Sequence, residues 1–335
     1  MNTDNLNLTR RVVVGVQFLF VAFGATVLVP LLVGLDPATA LFTAGIGTFI
    51  FHLVTKGKVP IFLGSSFAFI APIIAATKEW GLSGALAGTI GVSLVYFVMS
   101  ALVKWQGKHL LNRLFPPVVI GPVIILIGLT LSSAGVNMAK TNWLLAAISL
   151  ATAIIVLTFG KGLIKLVPVV CGIIVGYIVA IFLNEVNFDA VKEASWLALP
   201  PSLAHFQLPE FKWQAILFMI PVAIAPVIEH IGDVYDVGAV AQKDFVKEPG
   251  LHRTLLGDGL ACLFASIFGG PPVTTYSEVT GAMSITKITS PAVIRISALT
   301  AIVFSVMGKL SALLQSIPQA VLGGIMLLLF GTIAS

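Results

Sequence analysis

Gly269-Gly270-Pro271-Pro272-Val273-Thr274-Thr275-Tyr276-Ser277-Glu278 is the stretch that decides the fold. Its prolines remove backbone donors and its glycines loosen the chain. The β-branched Val-Thr-Thr that follows favours an extended backbone. Yet the stretch lies among apolar runs long enough to cross a membrane as helices. A short extended piece followed by a half-helix beginning near Ser277 is therefore expected. Residues 60–72 have the same character, with Pro60, Gly64, Ser65, Ser66 and Pro72 crowding one apolar run and a half-helix expected from Phe67. Non-helical backbone at membrane depth is tolerated only where it is buried or lines a cavity. Two such breaks in matching halves point to one shared binding site near the bilayer midplane.

The rest of the chain agrees with a membrane setting. Of 335 residues, 58% are hydrophobic and 10% are charged, against about 25% charged in soluble domains. Mean hydropathy is +1.05. Twelve segments are expected at 12–33, 38–55, 61–77, 82–103, 115–134, 141–160, 163–183, 213–235, 254–268, 272–286, 290–308 and 314–335. With the N terminus in the cytoplasm, only Lys78, Lys140, Lys192, Lys212 and Lys309 of the 19 basic residues fall outside. That bias supports an N-in, multi-pass protein of the inner (plasma) membrane, in contact with lipid. The formal charge of +5 is no nucleic-acid signature, because the basic residues sit between apolar runs. Cys171 and Cys262 lie inside apolar segments and read as packing residues. The first run, after Arg10 and Arg11, reads as a retained helix rather than a signal peptide.

An internal repeat is visible. Pro116/Pro318, Val119/Val321, Gly121/Gly323, Leu126/Leu328 and Thr130/Thr332 coincide at an offset of 202. Pro30 answers Pro226, and Pro60 with Ser65-Ser66-Phe67 answers Pro272 with Thr274-Thr275-Tyr276. A seven-segment repeat has odd parity, so its second copy is inverted. The expected fold class is an all-α polytopic membrane protein of inverted seven-segment repeats, with two short extended strands in broken segments 3 and 10. The repeat predicts fourteen segments, so this sequence is expected to be short of two.

Four acidic residues stand inside the spans: Glu229, Asp233, Asp258 and Glu278. Each is costly in hydrocarbon and so invites a functional reading. Glu229 and Asp233 are i and i+4 and share a helix face. A carboxyl group away from water can take a proton as well as a hydrogen bond. With free N–H groups at the half-helix starts and Phe67 as a stacking face, the carboxylates match a flat heterocycle bearing adjacent N–H and C=O groups. Blander readings stand beside these. Glu278 can be a structural carboxylate of the half-helix, Asp233 can lie at the cytoplasmic mouth, and Phe67 can be ordinary core. Asp258 can tie helices together, and His230, about 100° from Glu229 on the helix, reads as packing. There is no H-E-x-x-H, G-x-x-x-x-G-K-[ST] or G-x-S-x-G motif, so a secondary carrier is expected rather than an enzyme or ATP-driven pump, with no cofactor or metal.

Gln17, F-G-A-T-V-L-V-P (23–30), G-S-S-F-A-F-I-A-P (64–72), E-H-I-G-D (229–233), K-D-F…P-G-L-H-R (243–253) and G-G-P-P-V-T-T-Y-S-E (269–278) resemble the nucleobase–ascorbate transporter family. The resemblance covers nearly the whole chain and implies a proton-coupled symporter importing a nucleobase, with uracil foremost. It places base-binding carboxylates on Glu229 and Glu278, the stacking aromatic on Phe67 and a backbone contact on Ser277. Proton coupling falls on Glu229 and Asp233, with Gln17, Ala25, Asp258 and Tyr276 in support. It also implies a core domain of 12–110 and 213–310, a gate domain of 111–185 and 311–335, an external connector at 186–212, and homodimers formed through the gate. Phe18 stands where the family usually has His, and Val279 where it usually has Asn. Alternatives are a xanthine, uric acid or other purine carrier, an anion carrier of sulfate-transporter type, and a non-transporting membrane sensor or scaffold.

Overall fold

A computed structural model describes residues 7–107, 125, 129, 132–162, 164–206 and 208–333. The chain runs through α1 (Leu8–Val33), α2 (Pro37–Val54), β1 (Leu63–Ser65), a single 3₁₀ turn (Phe67–Phe69) and α3 (Ile70–Gln106). There follow α4 (Trp143–Phe159), α5 (Pro168–Phe182), α6 (Trp213–Val222), α7 (Ile224–Ala241) and α8 (Leu251–Ile267). Then come β2 (Val273–Thr275), α9 (Ser277–Thr286), α10 (Pro291–Ser305), α11 (Gly308–Gln315) and α12 (Gln319–Ile333). Among the described residues, three helical stretches are long and apolar enough to span a membrane: α1, α2 and Phe67–Gln106. The bent pairs α6/α7, at 42°, and α10/α11, at 82°, qualify when each is taken together.

Local chemistry sets the ends of these helices. Asn7 accepts the Arg10 N–H at 2.9 Å at the start of α1. Gly34 closes α1 in the left-handed region, its N–H bonding the Pro30 carbonyl. Asp36 caps α2 by accepting from Ala38 and Thr39 at 2.8 and 3.2 Å, with Pro37 in the first turn.

The chain forms two compact units, Met1–Pro116 with Leu199–Val306, and Pro117–Ala198 with Met307–Ser335. In the first unit α8 packs on both α2 and α3, α1 and α2 pack on α10, and α3 lies along α6. Small residues permit the close approach that drives helix association in membranes. At Gly91 a Cβ would stand 2.5 Å from the Ile216 carbonyl oxygen. In the second unit α4, α5 and α12 pack together, the Ser149 hydroxyl donating to the Val321 carbonyl at 3.0 Å. The Lys309 ammonium donates to the Val191 and Lys192 carbonyls at 2.8 and 3.1 Å and lies over the Trp196 ring.

Three expected boundaries differ. Segments 61–77 and 82–103 run on as α3, broken only where Gly81 leaves helical geometry at φ 73°, ψ 167°. A single residue in the left-handed region is enough to reorient a helix without a loop, which hydropathy does not register. The segment expected at 290–308 stops at Ser305, and α11 intervenes before α12 starts at Gln319. The interval 186–212, expected as a connector, holds the short helices Asp189–Glu193 and Pro201–Ala204. Most of the segment expected at 115–134, with the first half of its repeat match, lies outside the described residues.

The two broken segments meet as expected. β1 and β2 pair antiparallel with Leu63 opposite Thr275, Gly64 opposite Thr274 and Ser65 opposite Val273. The ladder continues through Ser66 N–H to Pro272 O at 3.0 Å and Tyr276 N–H to Phe62 O at 3.2 Å. A two-stranded ribbon has two raw edges, which at membrane depth must find partners. Side chains of the flanking helices supply them. Thr48 on α2 accepts the Leu63 N–H at 2.9 Å, and the Cys262 thiol on α8 reaches the Val273 carbonyl at 2.9 Å. His52 Nε2 donates to the Ile61 carbonyl at 3.1 Å, since a carbonyl only accepts.

Candidate functional site

The half-helices leave the ribbon from its opposite ends. The 3₁₀ turn opening with half-buried Phe67 follows β1, and α9, opening with Ser277 and Glu278, follows β2. Both Ser277 and Glu278 are exposed, whereas Val279 and Thr280 behind them are buried. The first N–H groups of α9 have no intrahelical partner, so this start offers donors beside a carboxylate.

α7 supplies the second set of acids. Glu229 keeps an accessible side chain, while Asp233, one turn further on, is only 6% exposed. Buried carboxylates need partners, and Asp233 has one in the Thr275 hydroxyl of β2, which donates to Oδ2. Glu229, Asp233 and Glu278 lie within electrostatic reach of one another. Asp258 lies within the same reach of Glu229 and Asp233, so all four expected acids fall in one region, with Asp233 bonded to the end of β2.

Tyr276 holds the ribbon to α1. Its hydroxyl donates to the Ser65 carbonyl at 2.7 Å and lies 3.4 Å from Thr26 Oγ1. The ring crosses so close to Gly64 that a Cβ there would collide with it. Ala25, buried at 9% exposure, sits beside Thr26 at the level of the strands. Gln17 does not join the group. It lies eight residues earlier on α1, about 12 Å along the axis, near the stretch where the Ser297 hydroxyl of α10 bonds the Gly15 carbonyl at 2.7 Å.

Asp258 has different surroundings from the other acids. It is fully buried on α8, and its Oδ2 lies 2.8 Å from His230 Nδ1. His230 Nε2 meets Thr254 Oγ1 at 2.9 Å, and that hydroxyl spends its one proton on the Leu251 carbonyl, also at 2.9 Å. Nε2 therefore carries a hydrogen. The edges of Phe51 and Tyr96 enclose the imidazole of this pair. The short approach of Asp258 to His230 brings α8 against α7 at this point.

Thr275, Thr254 and His230 were not singled out as functional from the sequence. A lone His and a lone Asp in neighbouring apolar spans were a usable signal, because each is costly unless paired. Thr275 gave none, since a strand threonine reads the same whatever its hydroxyl faces.

Two broken membrane segments, their strands paired and backed by side chains, with carboxylates near the start of one half-helix, are the architecture of a multi-pass membrane transporter. The model of the Permease family matches residues 9–335, and the chain belongs to this nucleobase–ascorbate transporter family. It is 48% identical over 340 residues to the "Probable uracil permease" of Haemophilus influenzae, covering 99% of this chain and 81% of that protein. It is 43% identical over 352 residues to the uracil permease of Bacillus caldolyticus, covering 100% and 82%. Among solved structures, the transmembrane domain of the cyanobacterium bicarbonate transporter BicA superposes with a TM-score of 0.71 at 17% identity, covering 99% of this chain and 90% of that one. At that identity the likeness shows the fold.

Proposed function

We propose that this protein imports uracil across the inner membrane in symport with a proton, its N terminus in the cytoplasm. The observation that carries the reading is the grouping of Glu229, Asp233 and Glu278 beside the start of α9. A neutral ring with alternating N–H and C=O groups suits this mixture of acceptors and donors, whereas an oxyanion would face repulsion from three acids. The uracil permease names of the relatives support the same substrate.

In this reading Glu229 and Glu278 accept the ring N–H groups, backbone at Ser277 contacts a ring carbonyl, and Phe67 stacks on the ring face. Glu229, with Asp233 one turn away, takes the coupling proton, and protonation neutralises the site for its passage across the membrane. Residues 12–110 and 213–310 act as the substrate-carrying core. Residues 111–185 and 311–335 act as a gate, through which two copies associate.

Uptake of labelled uracil into energised membrane vesicles tests the coupling. Uptake is expected to collapse with an uncoupler and in Glu229→Gln. Accumulation that survives both refutes proton coupling through Glu229. Competition by unlabelled xanthine as strong as by uracil refutes the substrate assignment.

A further inference from the structure

A second site lies at one end of the first unit, away from the ribbon. A cavity of about 760 Å³ opens where α1 begins, α2 ends, α7 turns into α8 and α10 begins. Five cations line it: Arg11, Lys58, Lys243, Lys247 and Arg295. Two carboxylates oppose them, and both are engaged. Glu248 pairs with Lys58, and Asp244 accepts the Lys247 backbone N–H at 3.0 Å. Among the described residues, Lys243, Lys247 and Arg295 have no carboxylate within salt-bridge distance. Such an excess of positive charge around a concavity repels itself unless an anion enters.

The fifteen-residue helix α10 starts in the same cavity, with Ser290, Pro291 and Ala292 on the wall. A helix start favours negative charge. Ser290 adds a hydroxyl to the cavity wall. It is only 6% exposed, lines the cavity and does not cap α10 with its side chain. Its hydroxyl is therefore open to a ligand in the cavity as a hydrogen-bond donor.

We propose that this cavity is a phosphate site that seats the headgroup of an anionic phospholipid. A tetrahedral phosphate accepts from guanidinium, ammonium, hydroxyl and helix-start N–H groups at once. A lipid is favoured over a soluble phosphate by the apolar surface beside the cavity. Leu8 and Val12 flank Arg11 on α1, Leu53 lies in the last turn of α2, and all three are exposed, ready to lie against acyl chains. The cavity also gathers basic residues of the face that charge bias assigns to the cytoplasm, where anionic lipids attract juxtamembrane cations.

The test is a thermal-shift titration of the full chain in neutral detergent micelles, with phosphatidylglycerol or phosphatidylcholine added, and separately with inorganic phosphate against chloride at equal ionic strength. Phosphatidylglycerol is expected to raise Tm above phosphatidylcholine. Its half-saturating concentration should rise roughly 5-fold for each cation removed in Arg295→Gln and Lys243→Gln. Lys165→Gln, outside the cavity, should leave it unchanged. Ser290→Ala, which alters no charge, should also weaken the response, and it serves as the readout if the cation variants do not fold. An increment equal in the wild type and the cavity variants overturns the proposal, as does one lost equally in Lys165→Gln. No increment from phosphatidylglycerol overturns it as well, and a full response to inorganic phosphate with none to lipid overturns the lipid as the source.

Discussion

The Thr275 hydroxyl donates to the Asp233 carboxylate, joining a strand at membrane depth to the helix that bears Glu229. One hydrogen bond thereby couples the geometry of the broken segment to the acids of α7. Asp233 is nearly closed to solvent, so losing the donor leaves the carboxyl short of a partner. Thr275→Val is expected to cost about 1–3 kcal/mol, read as a lower Tm, and to weaken uracil binding. Thr275→Ser, which keeps the hydroxyl, should restore most of both. Equal behaviour of the two variants would show that the bond does nothing for the site.

The His230–Asp258 pair makes a sharper claim about stability. Removing one partner of a buried pair leaves the other uncompensated, at about 3–5 kcal/mol. His230→Leu should therefore reduce Tm severely, while His230→Leu with Asp258→Leu should recover much of the loss. A double variant no more stable than the single one contradicts the pairing.

Gly64 is expected to tolerate no side chain, because the Tyr276 ring occupies the space of its Cβ. Gly64→Ala forces the ring away and breaks its hydroxyl bond to Ser65, a strain of about 1–3 kcal/mol. Loss of uracil uptake with surface expression retained is the expected result. Tyr276→Phe removes only the hydroxyl bond and should be milder in the same assay.

On the exposed loop, the Lys58 ammonium holds the Glu248 carboxyl below its ordinary value, through the hydrogen bond first and its charge second. A carboxyl lowered in the folded state adds stability above the ordinary carboxylate range, and that contribution is lost as the pH falls through the lower folded value. Exposure and salt screen such a pair. Glu248→Gln should therefore leave Tm nearly unchanged at neutral pH in physiological salt. A small deficit in low salt should vanish in acid.

How much of this was visible in the residues follows from what each feature depends on. Pro271-Pro272 and Pro60 forbid continuous helix whatever surrounds them, so both strands and the start of α9 at Ser277 could be read locally. The clustering of Glu229 with Glu278 could be anticipated from the shared site that two broken segments imply and from the family resemblance. The kink at Gly81 was hidden, since one glycine's backbone angle leaves no mark on hydropathy. The Thr275–Asp233 and His230–Thr254 bonds were hidden too, because they depend on how α7 is rotated against β2 and α8. That rotation is set by packing across many residues.

The most direct test is stabilisation of the purified protein by uracil in the wild type, Glu229→Gln and Glu278→Gln. Saturating ligand at about 100 times Kd stabilises a folded protein by about 2.7 kcal/mol. The predicted result is a concentration-dependent rise in Tm for the wild type that is lost in both variants, whose unliganded Tm stays close to that of the wild type. An undiminished uracil shift in both variants would contradict the placement of the substrate between these two carboxylates.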